Sequence, residues 1–260
     1  MFEWGTRTYV FGVLNVTPDS FSGDGILGVD TAVAHALAMR AEGADVVDVG
    51  GESTRPGHAA VSTEEELRRI EPIVPALVQR GVIVSIDTRK AAIARRAIEL
   101  GAAVVNDVSG LADRDMLGVI AGSDVSAVLL DDRDIRDAKD PVSRVLDHLA
   151  ALVERASRAG VAGERLIVDP GFGFGKGPRE NLAVLRELDR LRVLGLPILV
   201  GTSRKSTIGK VLGELPPDDR LEGTAATVAI AIANGADAVR VHDVREMARV
   251  ARMADAIVRT

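Results

Sequence analysis

The 260-residue sequence contains no cysteine, which removes disulfides, thiolate metal centres and cysteine nucleophiles from consideration. Aromatic residues make up only 3%, so the core has to be built from Val, Leu, Ile and Ala. Positive charge is not in excess: 32 Lys and Arg stand against 38 Asp and Glu, a formal net charge of -6. A chain with no basic surplus has little with which to neutralise the phosphates of a nucleic acid or an anionic membrane, although local arginines can still hold a small anion. No stretch approaches the roughly 20 apolar residues of a membrane span. The segment Met1–Arg7 is charged and has no apolar run of signal-peptide length, so a cytoplasmic protein is expected.

What the sequence does have is repetition of one unit. Short β-branched runs recur at Tyr9–Leu14, Asp45–Val49, Val82–Asp87, Ala103–Asn106, Val125–Leu130, Arg165–Asp169, Pro197–Gly201 and Ala236–Val241. None alternates strictly between apolar and polar, as expected of strands covered on both faces. Helical patterns fill the intervals. Thr31–Ala41 closes at Gly43, and Thr63 with Glu66 suggests a capping box ahead of Leu67, Ile70, Val74 and Leu77. Pro72 and Pro75 should bend that helix or delay its start. Lys90–Leu100 ends at Gly101, and Val142, Val145, Leu149, Leu152 and Ala156 share a face before Gly160. Leu182, Leu185, Leu188 and Leu191 recur every third residue, and Ala/Val-rich helices follow at about 222–233 and 244–258. Eight strand–helix units without a long linker predict an α/β fold, a single-domain (β/α)₈ TIM barrel over residues 1–260. An open doubly wound sheet is the alternative, weakened by the lack of a Gly-rich dinucleotide turn after the first strand. The charged stretch Asp131–Asp140 is the expected mobile loop.

Polar residues gather at the C-terminal ends of these strands, where such barrels carry their active sites: Asn15, Asp48, Asp87, Asn106, Asp131, Asp169, Ser203 to Lys205, Arg240 and His242. One Asp or Asn after a strand more often closes a turn or caps a helix. Nearly every strand ending so is a stronger signal. Asp87, Asn106 and Asp169 in a partly desolvated mouth need partners, and a flat heterocycle with several N–H groups supplies them. Lys205 and Arg240 would donate to a ring carbonyl or phosphate, and Arg55, Arg240 and His242 could hold a diphosphate. Two loops dense in Gly, Ser, Thr and Pro, Asn15–Gly25 and Gly50–Gly57, suit closure over a substrate, and equally suit plain surface loops. The pair Gly50–Gly51 suggests close backbone approach to something.

Seven segments, GVLNVTPDSFS (Gly12–Ser22), DVGGESTRPG (Asp48–Gly57), SIDT (Ser85–Thr88), NDVSG (Asn106–Gly110), DPGFGFGK (Asp169–Lys176), GTSRKSTIG (Gly201–Gly209) and RVHDV (Arg240–Val244), together resemble the dihydropteroate synthase family, in family order from end to end. The resemblance implies a transferase of folate synthesis that joins 6-hydroxymethyl-7,8-dihydropterin diphosphate to p-aminobenzoate. By motif, Asp87, Asn106, Asp169, Lys205 and Arg240 would bind the pterin. Asn15, Arg55, Arg240 and His242 would bind diphosphate. Thr54, Pro56, Phe174, Lys205 and Ser206 would frame p-aminobenzoate, where sulfonamides compete. Arg55, Asp87, Lys205 and Arg240 are the implied catalytic residues, Asn15 the implied Mg²⁺ ligand, and a homodimer through the late helices the implied assembly.

Four positions depart from the family pattern. The fifth strand ends Leu130-Asp131 where Met-His is usual, Gly23 precedes Asp24 after SFS, and Thr207 stands where an aromatic is usual, which predicts a looser wall near p-aminobenzoate. Two other functions remain compatible with the same barrel: a pterin-binding paralogue with little synthase activity, and a folate-dependent methyltransferase.

Overall fold

The computed structural model describes residues 2–16, 25–52 and 61–259. Eight parallel strands, β1 (Tyr9–Asn15), β2 (Val46–Gly50), β3 (Val84–Asp87), β4 (Val104–Asp107), β5 (Ser126–Leu130), β6 (Leu166–Asp169), β7 (Leu199–Val200) and β8 (Ala238–Val241), pair in the order β6-β5-β4-β3-β2-β1-β8-β7. A bridge between Val168 and Ile198, with Val168 N donating to Pro197 O at 2.9 Å, joins β6 to β7 and closes the ring. The closed ring excludes the open doubly wound sheet.

The helices are α1 (Gly25–Glu42), α2 (Thr63–Ile70), α3 (Ile73–Val78), α4 (Ala91–Glu99), α5 (Met116–Ala121), α6 (Pro141–Arg158), α7 (Pro178–Arg186), α8 (Ser206–Val211), α9 (Leu221–Ala233) and α10 (Val244–Val258). None of the described helices is long and apolar enough to cross a membrane. The helix expected around Thr63 breaks between α2 and α3 with Pro72 at the cap of α3, because proline cannot donate to the preceding turn. The expected capping box is displaced by one residue. Ser62 caps α2 by accepting from Glu65 N at 3.2 Å, and Glu66 turns inward. Of the every-third-residue leucines, Leu188 and Leu191 are buried on a 3₁₀ helix over Leu188–Leu194, whose period is three, whereas Leu182 and Leu185 belong to α7 and Leu182 is exposed.

The absence of alternation follows from two cores. Val47 and Val49, Val84 and Ile86, and Val239 and Val241 face the helices. Their neighbours Phe11, Val46, Val104, Val128, Ile167, Leu199 and Ala238 form a separate floor inside the barrel. Phe2 and Trp4 close that floor from below against Tyr9, with ring centroids 5.0 and 5.1 Å from the Tyr9 ring. The stretch Asp131–Asp140 is fastened rather than loose: Ile135 is buried and its N–H donates to Gly175 O at 2.8 Å.

Phe11 is the largest fully buried side chain of the floor. Phe11→Ala is therefore expected to lower unfolding free energy by about 3–5 kcal/mol in urea titration. A loss below about 1 kcal/mol would mean that the floor is not close-packed.

Candidate active site

The pleat places polar residues one layer above the floor. Two residues beyond Val46, Val104, Ile167 and Ala238 stand Asp48, Asn106, Asp169 and Arg240, all on the barrel interior. Arg240 is the centre of this layer. Its Nε donates to Asp48 Oδ2 at 2.5 Å and its Nη2 to Asp87 Oδ2 at 2.6 Å, while Asn106 Nδ2 donates to the same Asp48 oxygen at 3.1 Å. The opposite oxygens are left over. Asp48 Oδ1, Asp87 Oδ1, Asn106 Oδ1 and the Ser85 hydroxyl are buried without a hydrogen-bond partner among the described residues. Each such group costs about 1–3 kcal/mol, so four on the inner face of three neighbouring strands favour a ligand that can pair with them.

Burial sets the proton affinities. It pushes the Asp87 carboxyl up to about 7 against the Arg240 charge, with Asp48 adding to the rise. It pushes Asp169 up to about 6 against the Gly171 N–H and the Lys205 charge. Lys205 is brought down to about 8 by burial and then by Arg240. Burial also pulls on Arg240, but Asp48 and Asp87 outweigh it and hold the guanidinium above its ordinary value.

Lys205 reaches the mouth through a turn whose backbone is forced. Arg204 adopts φ 58°, and is held there by Asp243 at 2.6 Å, by Thr224 Oγ1 on its N–H and by Arg220 on its carbonyl. Lys205 then lies with Nζ 4.1 Å from the Phe174 ring centroid. Ser203 Oγ accepts from His242 N at 3.1 Å and lies 3.0 Å from His242 Nδ1. Asn106, Asp169, Phe174, Lys205, Arg240 and His242 thus line one pocket at the barrel mouth. Asp87 joins it through Arg240. Asn15 is level with Gly50, and its Oδ1 lies 3.6 Å from where a Cβ on Gly50 would stand. Ser206 is exposed as the first residue of α8. Thr54, Arg55 and Pro56 lie outside the described residues, as do Gly23 and Asp24.

One expectation is corrected, and two left open by the sequence are resolved. Thr207 is not a wall of the mouth: it is buried against α7, with its Oγ1 accepting from Asn181 Nδ2 at 2.8 Å. The phase of α8 turns position 207 away from Lys205. Asp131 is not a ligand contact either. It follows the inward Leu130 by one residue, so it faces outward, fully buried against Lys176 and His148. The close approach suggested by Gly50–Gly51 is to protein: a Cβ on Gly51 would lie 2.8 Å from Glu66 Cγ.

Sequence reasoning noted Asp48 at a strand end and gave it no role; its spacing two residues after floor residue Val46 was the available signal. It also missed the ties around the second loop. Lys90 Nζ reaches Glu52 Oε2 at 2.5 Å, Glu66 Oε2 at 2.6 Å and Val61 O at 2.6 Å, which fastens residues 52 and 61 on either side of the undescribed 53–60. A metal cage of three or more His, Cys, Asp or Glu side chains is absent among the described residues. Asn15 offers a single neutral oxygen, a hard donor of the kind Mg²⁺ takes.

A family profile described as "Pterin binding enzyme" matches residues 11–242. A dihydropteroate synthase of Clostridium beijerinckii is 48% identical over 99% of this chain and 97% of its own. A crystal structure of the Clostridium difficile dihydropteroate synthase in the presence of pteroic acid superposes with TM-score 0.96 at 48% identity, covering 100% of both chains. The Xanthomonas albilineans enzyme in complex with 7,8-dihydropteroate gives TM-score 0.89 at 38% identity over 97% of this chain and 94% of its own.

The raised carboxyls make a stability prediction. Between about pH 4 and about pH 7 the folded chain holds protons on Asp87 and Asp169 that the unfolded chain has released, so their contribution is full below that interval and lost as pH rises through it. Asp87→Asn should therefore lose less unfolding free energy than wild type across the same interval; parallel pH profiles would remove the basis for the Asp87 shift.

Proposed function

The chain belongs to the pterin binding enzymes, within their dihydropteroate synthases, and we infer that its barrel mouth joins 6-hydroxymethyl-7,8-dihydropterin diphosphate to p-aminobenzoate. The observation that carries this reading is the set of buried, unbonded acceptor oxygens on Asp48, Asp87 and Asn106, in the layer that Arg240 joins to the pocket lined by Lys205. The 2-amino and ring N–H groups of a pterin match Asp87, Asn106 and Asp169, and Lys205 donates to the ring carbonyl. Arg240, already fixed by two carboxylates, presents its guanidinium plane to the ring.

The reaction breaks the bond between the pterin methylene and the diphosphate oxygen, and the electron pair leaves with diphosphate. Asn15, Arg55, Arg240 and His242 bind that growing negative charge. Asn15 would also hold Mg²⁺, which would supply further charge neutralisation when bound. Positive charge developing on the methylene is spread into the ring and opposed by Asp87 and Asp169. The p-aminobenzoate nitrogen attacks that carbon and then loses a proton. An aniline needs placement more than deprotonation, and Thr54, Pro56, Phe174, Lys205 and Ser206 provide it. Sulfonamides would compete for that subsite. A methyltransferase reading is disfavoured because it gives the Arg240–His242 cluster no diphosphate to hold.

The late helices leave an apolar face of Ile230, Met253, Ile257 and Val258, each at least 42% exposed, which supports a homodimer across α9 and α10. Sedimentation should give a dimer for wild type and a folded monomer for Ile257→Asp. A wild type that sediments as a monomer at micromolar concentration would remove the dimer.

Purified protein given the pterin diphosphate, p-aminobenzoate and Mg²⁺ should release diphosphate. Tight pterin binding without release would sink the synthase reading and keep the pocket. The profile of kcat/KM should be bell-shaped, rising through about pH 7 as Asp87 ionises to accept N–H donors and falling beyond about pH 8 as Lys205 loses its proton. Asp87→Asn should flatten the acid limb.

A further inference from the structure

The turn Gly171–Lys176 rests on the end of β5 with no room to spare. A Cβ on Gly171, at φ 67°, would lie 1.8 Å from Asp131 O, and one on Gly175, at φ 54°, would lie 2.2 Å from Arg133 O. Beneath the turn is a buried charge cluster that the reaction does not use. Lys176 Nζ is surrounded by three acceptors: Asp131 Oδ2 at 2.8 Å, Asp131 O at 2.9 Å and Phe174 O at 3.1 Å. Two of these are hydrogen bonds, to the Asp131 and Phe174 carbonyls, and the third contact is the ion pair with the Asp131 carboxylate. Asp131 is held in turn from α6 and its own loop, by His148 Nδ1 at 2.5 Å and Arg133 Nε at 3.1 Å. Both the Asp131 and Lys176 side chains are fully shielded from solvent.

One of the three acceptors belongs to Phe174, whose ring carries Lys205. On its other side the turn is clamped by Asn181, which accepts from Gly173 N at 2.8 Å and donates to Lys176 O at 3.2 Å and to Thr207 Oγ1 at 2.8 Å. We propose that Asp131 and Lys176 are positioning residues for the p-aminobenzoate half of the site, fixing the Phe174 backbone so that its ring supports Lys205. The proposal rests on the synthase reading for the identity of that substrate. Lys205 is also drawn to Asp169 and Asp87 by charge, so the pterin half keeps an independent hold on it. Disturbing the pair therefore affects the two substrates unequally.

Asp131→Asn, Lys176→Met and the double variant separate positioning from bulk stability. Each single variant leaves a buried group without its partner and lowers the melting temperature; the double variant removes both charges and recovers most of it. In all three, the Phe174 carbonyl has lost its charged donor or that donor's anchor. The KM for p-aminobenzoate is expected to rise about tenfold while the Kd for pterin changes less than about threefold. Amide hydrogen exchange at residues 173–176 is expected to accelerate in all three. A KM within about threefold of wild type in Asp131→Asn, or a double variant that recovers KM together with melting temperature, overturns the proposal and leaves the pair a purely structural one. Unchanged exchange at 173–176 in Lys176→Met overturns it as well. A wild type that binds pterin but releases no diphosphate fails the synthase reading instead. Calorimetric p-aminobenzoate affinities on the pterin-loaded proteins then replace KM in the same comparison, alongside the exchange data.

Discussion

The buried guanidinium of Arg240 is the interaction on which the site depends. Asp48 and Asp87 project from neighbouring strands into the same low-dielectric mouth, where two carboxylates alone would repel and take up protons. Arg240 lies between them and bonds one oxygen of each. This arrangement does two things. It keeps the acids compatible with burial, and it leaves one oxygen of each unbonded among the described residues. A lysine at 240 would present a point charge with no fork, and could not hold both carboxylates in fixed orientation while offering a flat face to a ring. Removing either acid leaves the other paired with an arginine that has lost one of its two restraints, so the geometry of the layer is a property of the trio.

The height of that layer is set by the floor beneath it. Phe11, Val46, Val104, Val128, Ile167, Leu199 and Ala238 fill the barrel interior, and Phe2 and Trp4 seal it from below. Ligand-facing groups therefore begin only two residues above packed aliphatic side chains. Burial in this layer is the main cause of the carboxyls' raised proton affinity and the lysine's lowered one.

Much of this was legible in the sequence. Each β-branched run predicted a strand within one or two residues, and helices α9 and α10 fell close to where Ala and Val accumulate. The polar residues at strand ends marked Asn106, Asp169, Lys205, Arg240 and His242 correctly as neighbours. What could not be read was facing. A one-residue step along a strand reverses the side chain, so Leu130 enters the barrel and Asp131 leaves it. Composition places both at a strand end and is silent on which is inside. The same holds for Thr207, where the phase of a six-residue helix decides whether a side chain meets substrate or α7. Asp48 was visible as an acid but not as the partner of Arg240, because that contact spans 192 residues and exists only once the barrel closes. Lys176 is similar: a terminal lysine of a glycine-rich motif suggests solvent or phosphate, and the structure buries it completely.

The closure of the barrel is itself uneven. Seven of the strand junctions are continuous ladders, whereas β6 and β7 meet at a single bridge through Val168 and Ile198. Asp169 stands at the end of one of these strands, and Lys205 follows the other. A molecule that accepts from Lys205 and donates to Asp169 spans that seam, and adds cross-links where the backbone supplies fewest. A ligand of that kind would act as a ninth stave of the barrel, bracing the joint where the strands meet at a single bridge.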